Sequence, residues 1–69
     1  MTLKQYLDQL AWPLAELSRR SGLAYRTINR VMDGEPVYRH TVAAVAKALS
    51  EALGKTVTVE DIKGVNIIE

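Results

Sequence analysis

Residues 14–34 read LAELSRRSGLAYRTINRVMDG, and this stretch decides the fold. It divides at Gly22. Before the glycine, Leu14 and Leu17 recur at helical spacing, with Ala15 and Ser18 beside them, while Glu16, Arg19 and Arg20 face the other way. Gly22 supplies the left-handed residue that closes such a helix near Ser21. Leu23 then packs back, and Ala24 opens the next helix without an ideal capping side chain. That next helix spans residues 25–32 and stops at Asp33-Gly34. Two short helices joined by a turn of about three to four residues containing Gly form a helix-turn-helix unit, at about 14–33.

The helix over 25–32 has two chemically distinct sides. At 100° per residue from Tyr25, Asn29, Arg26 and Arg30 fall at about 40°, 100° and 140°. Val31, Ala24 and Ile28 fall at about 240°, 260° and 300°, with Thr27 between the groups near 200°. The apolar side packs on the domain; the other presents two arginines, an asparagine and a tyrosine. Such a stripe is usually only a solvated face. It gains meaning from the short helix and glycine turn before it, and from its residue types. Arg donates two bonds to guanine O6 and N7, Asn pairs with adenine N6 and N7, and Tyr touches a thymine methyl or a phosphate. Tyr25, Arg26, Asn29 and Arg30 are therefore the expected base-contacting residues on double-stranded DNA, with the helix in the major groove.

The flanking sequence extends the helical reading in both directions. Thr2 with Gln5 has the form of a capping box, and Leu3, Tyr6, Leu7 and Leu10 make the apolar face of a first helix. It ends near Ala11, because Pro13 pushes Trp12 out of helical geometry while suiting the first turn of a new helix. Residues 35–40 read as a loop. A fourth helix starts near His40 or Thr41 and reaches about Leu53, with Val42, Val45, Ala46, Leu49 and Leu53 inward and Gly54 as its stop. The small residues of 42–48 mark close helix packing. Thr58 and Asp61 form a second capping-box pattern, predicting a helical turn over 59–63 ended by Gly64. Residues 65–68 are apolar and β-prone but too short for an independent strand, with only 56–59 as an evident partner. Three roles stay open for them: dimer contact, core cover or disordered end. The expected fold is all-α, one compact domain over 1–69, with 54–69 as a C-terminal extension.

Composition narrows the function. Sixty-nine residues allow one domain. Without cysteine, disulfides and thiolate metal sites are excluded, and the cytosol is the expected compartment. No apolar run approaches the roughly 20 residues that span a bilayer, and no signal-peptide layout opens the chain. Net charge is only +1, but it is uneven. Residues 14–40 set five arginines against three carboxylates, and residues 50–69 set two lysines against four. That asymmetry suits a basic face turned to an anionic partner.

The string over 14–34, continued by EPVYRHTVAAVAKAL over 35–49, resembles the phage-repressor and Cro domains, also called the XRE family. Ala15 and Leu17 match that family's packing positions, Gly22 its turn glycine, and Ile28 and Val31 the inward residues of its recognition helix. Gly34 matches the glycine that follows, and Thr41-Val42 and Ala48-Leu49 the frame of the next helix. The resemblance implies a lambda-repressor-like bundle of four to five helices. It also implies a homodimer on a near-palindromic operator, with two recognition helices one helical turn apart. Tyr25, Arg26 and Arg30 fall on base-contacting positions of the family, and Thr27 where a hydroxyl meets phosphate. The loop over 37–40, with Arg39 and His40, falls where cations and backbone N–H groups meet phosphate. Pro13 and Leu14 depart from the family, which commonly has Ser or Thr followed by Gln there. The resemblance then leaves the phosphate contact to backbone N–H groups at that helix start, Leu14 among them.

Other features reduce to structure. Trp12 reads as a core or hinge plug. His40, the only histidine, cannot build a metal site alone. Gly54-Lys55-Thr56 resembles the end of a phosphate-binding loop, but Leu49 stands where that motif needs its first Gly, and a helix precedes it instead of a strand. No nucleophile, metal cluster or acid–base pair points to an enzyme, and no cofactor or small-molecule substrate is implied. The expected function is a sequence-specific DNA-binding transcriptional regulator, a repressor before an activator. The alternative is a helical protein-interaction module, such as an antitoxin or adaptor on the same fold.

Overall fold

The computed structural model describes residues 1–68. Four α-helices appear in chain order: α1 (Leu3–Leu10), α2 (Leu14–Ser21), α3 (Tyr25–Met32) and α4 (Arg39–Leu53). A 3₁₀ turn covers Val59–Asp61. Two three-residue strands, β1 (Pro36–Tyr38) and β2 (Asn66–Ile68), complete the fold.

Those strands correct the all-α expectation. β1 and β2 pair in parallel, with Val37 opposite Ile67 and Tyr38 opposite Ile68. The loop expected over 35–40 is therefore a strand running into α4, and the partner of the apolar tail is this strand, not 56–59. Pro36 fits as the first strand residue, where its missing N–H costs no ladder bond. Among the three roles left open for residues 65–68, cover of the core is what the structure shows: Ile67 and Val65 pack against buried residues.

Local signals account for the helices. Thr2 Oγ1 accepts from the Gln5 N–H at 3.2 Å, and the Thr2 N–H donates to Gln5 Oε1 at 2.8 Å, so both halves of the capping box form. Ala11 closes α1 in the left-handed conformation at φ 56°, the one non-glycine residue so placed among those described. The turn between α2 and α3 uses Gly22 at φ 75° and two serines. Ser18 Oγ donates to the Leu23 carbonyl at 2.6 Å, and the Leu23 N–H donates to Ser21 Oγ. Expected and observed ends of α2 and α3 coincide. The turn after Thr58 forms with its capping box, as 59–61.

The core lies between the four helices, with Leu17, Ile28, Val42, Val45 and Leu49 fully enclosed and Leu3, Tyr6 and Leu7 of α1 buried against them. Ala46 and Ala48 are buried, and their small side chains let neighbouring elements approach α4 closely. Ala15, expected to lean inward, is exposed, as is Ala24, which caps α3 from outside its first turn. The segment after α4 is part of the core. Val57 and Ile62 are buried, each worth about 1.5–3 kcal/mol of apolar transfer. Ser50 ties this segment to α4: its hydroxyl bonds the Ala46 carbonyl at 2.8 Å and accepts the Val57 N–H at 2.8 Å. The Lys63 N–H reaches the Met1 carbonyl at 2.9 Å, closing the chain ends on each other. Among the described residues no helix is long and apolar enough to cross a membrane.

Candidate nucleic-acid interface

α3 divides as its periodicity requires. Ile28 and Val31 are 0% and 1% exposed, and they fix the rotation of the helix on the core. Tyr25, Arg26, Asn29 and Arg30 are all exposed along the opposite side. No acidic side chain lies within α3; Asp33 follows its last residue. The four expected base-contacting residues are thus brought to one accessible surface.

Thr27, half-buried, borders the two sides and turns toward β1. A groove of about 380 Å³ runs there, lined by Thr27 and Arg30 from α3, by Pro36, Val37 and Tyr38, and by Thr41 and Ile68. Arg30 leans across it, its Nη2 donating a long 3.5 Å bond to the Pro36 carbonyl. Tyr38 is 61% exposed and stacks on His40, with ring centroids 5.6 Å apart and planes 8° off parallel. Tyr38 was not singled out by its side chain in the sequence. An aromatic directly before Arg39-His40 was the available signal, and the fold places it in the groove that Arg30 also lines.

Arg39 and His40 form the first turn of α4, beside that groove. Arg39 donates through Nη2 to Glu60 Oε1 of the 3₁₀ turn. This bond, followed by a backbone bond within Glu60 and the charge of Arg39, holds the Glu60 carboxyl below the usual carboxylate range. The fold thus engages an expected phosphate contact with a carboxylate of its own chain.

Leu14 stands apart from this group. It is half-buried at the start of α2, behind Pro13, which supplies neither an N–H nor a side-chain cap. Glu16 already places a carboxylate in that first turn, where the helix dipole favours it. Hydrogen bonding from Arg20 is the largest cause holding Glu16 below its ordinary range, and Arg19 adds to it. Arg20 also lies over the Trp12 ring at 4.9 Å from its centroid, and half-buried Trp12, between α1 and α2, packs against the core.

Comparison with known proteins finds no matching protein family, curated protein or solved structure. The functional reading therefore rests on the residues themselves. Their arrangement offers donors without a competing acid along α3, a hydroxyl at the groove wall, and a cation with an aromatic pair at the head of α4. That combination is chemically suited to an anionic polymer with readable edges.

Proposed function

We propose that this domain is a sequence-specific double-stranded DNA-binding regulator that inserts α3 into the major groove. The observation that carries it is the division of α3: Ile28 and Val31 are locked in the core, and Tyr25, Arg26, Asn29 and Arg30 are held outward together. With its side chains an α-helix is about 10–12 Å across, which fits a major groove about 12 Å wide. Arg26 and Arg30 would read guanine edges and Asn29 adenine, with Tyr25 on a thymine methyl or phosphate. Thr27, Arg39, His40 and the N–H groups near Leu14 would take phosphates, which position the helix without reading sequence. A homodimer on an inverted repeat, acting as a repressor, is part of the proposal.

Selection of bound sites from random duplex DNA tests it. One enriched inverted repeat, with half-sites about 34–36 Å apart and an affinity that falls as salt rises, supports both the reading and its symmetry. An affinity indifferent to salt, or a pool without enrichment, refutes it. Exposed Tyr38 and Ile68 beside the groove favour a second reading, a protein-interaction module. A failed selection would leave that one standing.

A further inference from the structure

The acidic balance of residues 50–69 has no part in base reading, yet the fold brings it against the basic stretch at a defined point. Glu60 and Arg39 are 21 residues apart in sequence and joined by a direct hydrogen bond. The other two ion pairs among the described residues, Glu16 with Arg19 and with Arg20, both lie within α2. Among the described residues, the Arg39–Glu60 pair is the ion pair that couples the C-terminal segment to a residue expected on phosphate.

Glu60 is held in place from both sides. The Thr58 N–H donates to Asp61 Oδ2 at 3.0 Å and completes the capping box of the turn. Val57 and Ile62, just outside that turn, are buried in the core. The carboxylate therefore sits on an anchored turn, not on a loose tail. The pair itself stays open to solvent, with side chains 50% and 66% exposed. A competing anion can reach the guanidinium. Carboxylate and phosphate both offer paired oxygens to its fork, so one can replace the other.

We propose that Glu60 is an internal phosphate mimic that occupies Arg39 in the free protein and must be displaced by a DNA phosphate, so that the C-terminal segment tempers affinity. The inference rests on the DNA-binding reading. Exposed ion pairs are weak, which sets the scale. Glu60→Gln is expected to tighten binding of a mixed-sequence duplex about two- to fivefold at low salt, with less gain at high salt, where the pair is screened.

A double-mutant cycle with Arg39→Ala separates displacement from a mere change of net charge. If Glu60 acts through Arg39, the gain from Glu60→Gln disappears in the Arg39→Ala background. An equal gain in both backgrounds, or none in the wild-type background, overturns the proposal while leaving DNA binding intact. A wild-type protein that shows no salt-dependent DNA binding overturns the underlying reading instead, and the inference with it. Glu60→Ala serves as a second variant, and urea midpoints confirm that each protein compared is folded.

Discussion

Replacing Arg30 with alanine should separate recognition from folding. Arg30 is exposed, and the bond its guanidinium makes to the Pro36 carbonyl is 3.5 Å long, at the outer limit of useful geometry. Its loss should change folding stability by less than about 0.5 kcal/mol, as is usual for surface positions. A bidentate contact to guanine is worth about 1–3 kcal/mol of discrimination, or roughly a 5- to 150-fold loss of affinity at about 1.4 kcal/mol per tenfold. Fluorescence anisotropy on a selected site and its single-base variants would read this directly. Arg30→Ala should weaken the best site and flatten preference at one base pair, leaving the others in order. Arg30→Lys keeps the charge but not the fork, so it should retain non-specific binding and still lose that preference. An equal loss on every sequence would make Arg30 a phosphate contact. No loss on any sequence would remove α3 as the reading helix.

Further outcomes follow from the packing and the charges. Leu17→Ala should cost about 2–5 kcal/mol, because Leu17 is 0% exposed. That is a large share of the roughly 3–10 kcal/mol expected for a 69-residue chain, and a urea midpoint only slightly lowered would contradict the packing. Ala11→Gly should stabilise by about 0.5–1 kcal/mol, since Ala11 is held at φ 56° and glycine adopts that conformation without the Cβ clash; a lower midpoint would refute this. Glu16 and Glu60 are held below their ordinary pKa of 4.5, and Asp61 below 3.8. For Asp61 the Thr58 N–H is the largest cause. A depressed carboxylate stabilises the fold fully above its unfolded pKa and stops doing so as pH falls through the folded value. These groups should therefore leave stability level above about pH 5 and lower it progressively below about pH 4.5. A steady gain on acidification through that range would show that the pairs do not form in solution.

Much of this molecule was determined by the chain read locally. Thr2 with Gln5 and Thr58 with Asp61 formed the caps their spacing predicts. Gly22 closed α2. The separation of Ile28 and Val31 from Arg26, Asn29 and Arg30 followed from helical periodicity alone, because residues three or four apart share a face whatever lies elsewhere. That is why the stripe on α3 is legible in the sequence itself.

Only the tertiary structure decided what lies far apart in sequence. β1 and β2 are three residues each and too short to show a period. Parallel pairing also needs a crossover, here the whole of α4 and the turn after it, so no hairpin signal marks the partner. The same long-range closure set Ile68 into the groove lined by Arg30 and Glu60 against Arg39. Cap and face are properties of neighbours along the chain. Strand partner and ion pair depend on which distant surfaces the core brings together, and α4, packed through Val42, Val45 and Leu49, makes that choice.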